Sequence, residues 1–100
     1  MDIVFQAHHA EISDHMRERA VRTIRKVARR AGQAVDAVVR FEQDGRLRRV
    51  ELVLHAGRNR RLIAEGSDRF FGPALAAAAA RLSAQCGGGR GRRRATGGVR

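Results

Sequence analysis

Ile3, Phe5 and Ala7 alternate with Asp2, Val4 and Gln6 along MDIVFQA, the period-2 pattern of a half-buried strand. After HHAEI the period changes. From Ser13 to Ala31, at roughly 100° per residue, Met16, Ala20, Val21, Ile24, Val27, Ala28 and Ala31 fall within about 140° of arc, which predicts an amphipathic helix. Ser13 or Asp14 can accept the free amide hydrogens at its start, and Gly32 can take the left-handed conformation that closes its end. Alternation returns over Ala34 to Glu42, where Val35, Ala37, Val39 and Phe41 oppose Asp36, Val38, Arg40 and Glu42. Gln43-Asp44-Gly45 then predicts a hairpin, because Asp-Gly between two alternating runs suits a tight turn. Leu47 to Ala56 reads as a long strand with Val50, Leu52 and Leu54 inward and Arg49, Glu51, Val53 and His55 outward. A second hairpin turns at Gly57-Arg58-Asn59, and Arg61 to Gly66 forms the fourth strand.

Ser67 or Asp68 can start a second helix running through Phe70, Phe71, Leu75, Ala78 and Leu82 toward Cys86. Pro73 would sit slightly too deep in a helix capped by Asp68, which predicts a kinked first turn or a start near Gly72. The Ala76 to Ala80 run offers little bulk, so this helix should lie close on the sheet. The glycines after Cys86 are expected to end it. The element order is β-α-β-β-β-α, an α+β class. A strand, helix, strand unit favours parallel strands and the hairpins add antiparallel ones, giving a four-stranded mixed sheet with two helices packed on one face. Residues 1–86 form one domain on this reading. Residues 87–100, GGGRGRRRATGGVR, are expected to be a disordered Arg/Gly-rich tail.

Charge changes the picture. Residues 1–86 hold sixteen Lys and Arg against ten acids, and the last fourteen residues add five arginines and no acid. Both parts are basic, which points to a large polyanion, nucleic acid first and an anionic membrane surface second. The concentration is highest on the first helix, where Arg19, Arg22, Arg25, Lys26, Arg29 and Arg30 crowd the face opposite the apolar arc. Past Asp14, Glu18 is that helix's one carboxylate, so the i,i+4 ion pairs of an ordinary solvated helix are mostly missing. Like charges side by side repel unless a polyanion meets them. With no Trp or Tyr, and four Phe in apolar patterns of which only Phe70 or Phe71 is spare, base stacking is poorly provided for. Structured RNA read by backbone and shape suits the composition better.

Catalytic and metal chemistry find little support. His8 and His9 are adjacent and would face opposite ways on a strand, His15 lacks an i+4 histidine, and no CxxC, HExxH or phosphate-cradling loop occurs. A surface or RNA-contacting role suits His8 and His9 better than ligation. Glu65 and Asp68 flank a strand-to-helix junction, where capping accounts for Asp68. Neither an enzymatic activity, a cofactor, a small-molecule substrate nor a metal is expected. The single Cys86 cannot close an internal disulfide and fits a reducing compartment. No run approaches 18 apolar residues and MDIVFQ lacks a basic start and apolar stretch, so a soluble, cytoplasmic protein without a membrane role is expected.

The opening strand, His8 or His9, Glu11-Ile12-Ser13 leading into Met16-Arg17, Lys26-Val27, the hairpin strands and Ala64-Glu65-Gly66-Ser67-Asp68 followed by Phe70 resemble the ribosome hibernation promoting factor and ribosome-associated inhibitor family, short form, also labelled the sigma-54 modulation protein family. The resemblance spans roughly residues 1–70. It implies a factor that binds the small ribosomal subunit and its rRNA, occupies the channel of messenger RNA and transfer RNAs, and blocks initiation. It carries over Lys26, Arg17 and Arg81 as RNA contacts. The second helix departs from the family pattern: ALAAAAARLSAQC keeps Arg81 as its one charge. The tail arginines Arg90, Arg92, Arg93 and Arg94 can supply the contacts that segment lacks. The expected function is a ribosome-binding translation inhibitor, monomeric by itself. The alternative is a general structured-RNA or DNA-binding protein of the same fold.

Overall fold

The computed structural model describes the backbone of residues 1–95 and the side chains of residues 1–86. Six elements follow in the order β1 (Asp2–His8), α1 (Asp14–Ala31), β2 (Ala34–Asp44), β3 (Leu47–Ala56), β4 (Arg60–Asp68) and α2 (Phe71–Ala95). The four strands lie side by side in chain order. β1 runs parallel to β2, from Asp2 beside Asp36 to His8 beside Glu42. β2–β3 and β3–β4 are antiparallel. This is the expected α+β architecture with a mixed sheet.

Alternation decides what the sheet buries. Ala37, Val39, Phe41, Val50, Leu52 and Leu54 are fully buried on one face, under Ala20 and Ile24 of α1 and Ala74, Ala78 and Leu82 of α2. Each large aliphatic chain removed from water there contributes about 1.5–3 kcal/mol. Val35 departs from the pattern. A register shift between Ala34 and Asp36 leaves it as the extra residue of a bulge, and its side chain is exposed instead of inward.

The turns use the residues the sequence offers. Gly45 takes a positive φ of 64° at the first position of the two-residue β2–β3 turn. The β3–β4 turn puts Arg58 and Asn59 at φ 65° and 58°, so it lacks a glycine where a left-handed conformation is needed. Ser13 caps α1 by accepting from the Met16 amide at 3.1 Å, and Gly32 closes it at φ 89° with its own amide on the Ala28 carbonyl.

α2 starts at Phe71, beside the expected Gly72, and corrects the reading of its cap. β4 continues to Asp68, so neither Ser67 nor Asp68 caps the helix. The Asp68 carboxylate instead accepts from the Arg69 amide at 2.7 Å, and the first helical bond runs from the Ala74 amide to the Phe70 carbonyl. Pro73 therefore lies within the first turn, where its missing N–H is no loss. Its absent hydrogen bond would have gone to the Arg69 carbonyl. That oxygen is taken by the Arg48 guanidinium instead.

α2 does lie close on the sheet. A methyl group on Gly66 of β4 would collide with the Ala74 carbonyl oxygen and the Ala78 amide nitrogen, so the helix backbone rests directly on a bare strand position. From the other side, Gln85 and Arg81 each donate at 2.6 Å to the Ile63 and Glu65 carbonyls, covering the open edge of β4. The glycines after Cys86 do not end the helix, whose bounds reach Ala95. Glycine costs about 1 kcal/mol in a helix interior without forbidding helical angles, and the arginines between are good helix formers. The remainder of the expected tail, and every side chain from residue 87 on, lie outside the described residues.

Two outcomes follow from this packing. Gly66→Ala should destabilise the domain by about 1–3 kcal/mol through overpacking, lowering Tm by about 4 °C or more in a thermal melt. Burial raises the Cys86 thiol above its ordinary range against the opposing charges of Arg60 and Arg30. Its alkylation by iodoacetamide at pH 8 should be slower in the folded chain than in urea, and stability should fall as pH climbs through the thiol range.

Candidate nucleic-acid interface

α1 buries Ala20, Ile24, Val27 and Ala28 and turns everything cationic outward. Arg17, Arg19, Arg22, Arg25, Lys26, Arg29 and Arg30 are all exposed. Their spacing sets like charges three and four residues apart: Arg22 with Arg25 and Lys26, Arg25 with Arg29, Lys26 with Arg29 and Arg30. Among the described residues, the one carboxylate paired with any of the seven is Asp14, 3.9 Å from Arg17, with both side chains largely in solvent. Such a contact contributes little.

Five of the ten acids are gathered elsewhere. Asp2, Asp36, Glu42, Glu51 and Glu65 share the outer face of the sheet, away from both helices. There they meet their own cations: Arg49 bridges Glu42 at 2.6 Å and Glu65 at 3.4 Å, Arg40 pairs with Glu51 at 3.6 Å and donates to Gln6, and His55 pairs with Asp36. A row of Val4, Val38, Val53 and Ile63 crosses this face between the charged rows. The fold thus separates a neutralised sheet face from an unneutralised helix face.

The other expected contacts fare unevenly. Arg81 is exposed, and one N–H of its guanidinium donates to the Glu65 carbonyl at 2.6 Å, which tightens α2 on β4 and leaves its charge at the surface. Arg90, Arg92, Arg93 and Arg94 have side chains outside the described residues. Arg19 leans from α1 toward α2: its Nη1 lies 2.9 Å from where a Cβ on Gly72 would stand, so glycine makes the space it occupies. His8 and His9 do not face opposite ways. His9 has left the strand at φ 56°, and the two rings meet edge to face at 4.2 Å. No group of three or more His, Cys, Asp or Glu able to hold a metal occurs among the described residues.

Three cations outside the sequence reading gather at the opposite end of the sheet from the β3–β4 turn. Arg46 lies in the first hairpin turn, Arg48 follows it on β3 and Arg69 follows β4, all lining one small hollow with Phe70. The run Arg46-Leu47-Arg48-Arg49 was the visible signal. Strand register then splits it, sending Arg49 to the acids of the outer face and Arg48 to the Phe71 ring, 5.6 Å from its centroid.

The fold and this face define a small α+β domain with one unneutralised cationic helix. The chain belongs to the Sigma 54 modulation protein / S30EA ribosomal protein family, whose model matches residues 3–88. Among solved structures it is similar to a ribosomal subunit interface protein from Coxiella burnetii, with a TM-score of 0.81 and 13% identity over 91% of this chain and 99% of that one. It is also similar to the N-terminal domain of Thermus thermophilus Protein Y, with a TM-score of 0.75 and 22% identity over 86% of this chain and 96% of that one. No curated protein sequence matches it.

Unpaired like charges leave a signature in stability. Arg25→Glu removes the repulsions with Arg22 and Arg29 and replaces them with opposite-charge pairs at i,i+3 and i,i+4, so it should raise stability by about 0.3–1 kcal/mol at low salt, an effect that fades by 0.5 M salt. A melt series over salt concentration checks it.

Proposed function

We propose that the protein is a ribosome-associated translation inhibitor that binds the rRNA of the small subunit through the outer face of α1 and occupies the channel of messenger RNA and transfer RNA. The observation that carries this reading is the helix itself: seven exposed cations with one weak carboxylate partner among the described residues. A rigid helix offers guanidinium groups at fixed intervals to successive phosphates, and each neutralised phosphate releases counterions. Arginine adds bidentate phosphate contacts, and six of the seven cations are arginine. The family name and the subunit-interface protein from Coxiella burnetii support a ribosomal partner over a general one.

In this reading the protein acts by occupancy, as a monomer in the cytoplasm, without catalysis. Arg17, Arg19, Arg22, Arg25, Lys26, Arg29 and Arg30 carry the contact. Arg90, Arg92, Arg93 and Arg94 extend the cationic surface beyond the domain of residues 1–86. A general structured-RNA or DNA binder would use the same face, and differs in having no preference for one subunit. No helix among the described residues is long and apolar enough to cross a membrane.

Cosedimentation with separated subunits and whole ribosomes tests the reading, beside a version carrying Arg22, Arg25, Lys26 and Arg29 changed to Glu. Stoichiometric pelleting with the small subunit at moderate salt is expected. The Glu version should lose it, and the slope of log affinity against log salt should shrink by about 3 to 4. Equal pelleting with both subunits, confined to low salt, would establish the general binder instead.

A further inference from the structure

Of the four phenylalanines, the one left in solvent is Phe70, 63% exposed between the end of β4 and the start of α2. The core does not need it. Its neighbour Phe71 turns inward and sets its ring edge-on to the buried Phe41 at 5.4 Å.

Phe70 stands between two hollows. One, of about 810 Å³, has Met16 and Phe71 on its apolar wall and Glu11, Gln43 and Arg48 on its polar one. The other, of about 280 Å³, is lined by Arg46, Arg48 and Arg69. Arg48 is fixed by its bond to the Arg69 carbonyl and its place over Phe71. Asp68 is engaged by the Arg69 amide. The larger hollow also reaches α1, since Gly72 lines it and the Arg19 guanidinium lies against that glycine. The cationic row of α1 is therefore continuous with the edge of this hollow.

An exposed aromatic plate beside a hollow lined by guanidinium groups suits an unstacked nucleotide: the base lies on the ring and its phosphates meet Arg46, Arg48 and Arg69. Glu11 and Gln43 offer acceptors to the amino hydrogens of a base edge. We propose that Phe70 and the hollow beside it hold one unpaired nucleotide of the RNA that α1 grips by its backbone. The site gives base contact to an interface otherwise made of phosphate contacts. This inference rests on the ribosomal reading above, and fixes where a splayed base of that RNA would lie.

The chain has no tryptophan, so Phe70→Trp places a unique fluorophore on the site. Its emission is followed as purified small subunits are added, with pelleting of the same variant measured in parallel. Quenching that saturates together with pelleting is the expected result. Phe70→Ala should weaken binding about 5- to 150-fold while leaving the salt slope unchanged, because stacking releases no counterions. Phe70→Tyr should restore it. Unaltered emission in a variant that pellets fully, or Phe70→Ala binding as tightly as the parent, overturns the proposal and leaves the ribosomal reading standing. A blue shift without quenching would place a protein over the ring, which also overturns it. Failure of the parent chain to pellet removes the ribosomal reading, and this inference with it.

Discussion

The layer of apolar side chains between sheet and helices is what the rest of the molecule depends on. Ile24, Phe41, Leu52, Leu54, Leu75 and Leu82 are fully buried there, and no polar or charged residue among those described joins them. A chain of 100 residues buries a smaller share of its surface than a large domain does, so one such layer has to sustain the fold. Its thinness is met by close approach. Gly66 lets the backbone of α2 rest on β4, and the small Ala74 and Ala78 fill the contact without large side chains. Most charges are thereby left to two outer surfaces, with Arg46, Arg48 and Arg69 at the end of the sheet between them, and the two surfaces are not alike.

On the sheet side, cross-strand geometry brings opposite charges together. Glu42, Glu51 and Glu65 find Arg40 and Arg49 because strand register places them as neighbours. On the helix side the neighbours are three and four residues away in sequence, and there the chain supplies cation after cation. The same physics, proximity of side chains on a regular element, neutralises one face and concentrates charge on the other. A polyanion approaching this domain meets a field of one sign from one direction. That asymmetry costs some helix stability and gives orientation in return.

The cationic row and the aromatic end of the molecule use different forces. Phosphate contacts along α1 act at long range, depend on salt and read no sequence. Phe70 acts only on contact. Arg19 joins the two regions because Gly72 leaves room for it, and Arg48 braces the junction by closing the carbonyl that Pro73 leaves without a donor.

Much of this was legible in the sequence. Strands and helices came from the periods 2 and 3.6, the cap of α1 from Ser13 and Gly32, and the cationic helix face from simple counting around a wheel, because each depends on neighbours within a few residues. What the sequence left open depends on distant partners. Val35 left the core because of a bulge in pairing with β3. Asp68 lost its capping role because β4 extends through it, and the helix past Cys86 tolerates glycines that local propensity would have made its end. Arg81 carries a charge that sequence assigns to RNA and tertiary structure ties to the edge of β4. The hollow at Phe70 was not legible at all, since it is assembled from the loop after β1, the first hairpin and the start of both helices. Local periodicity determines which elements form and which face of each is apolar. Only packing decides which charges find partners, and so which remain for another molecule.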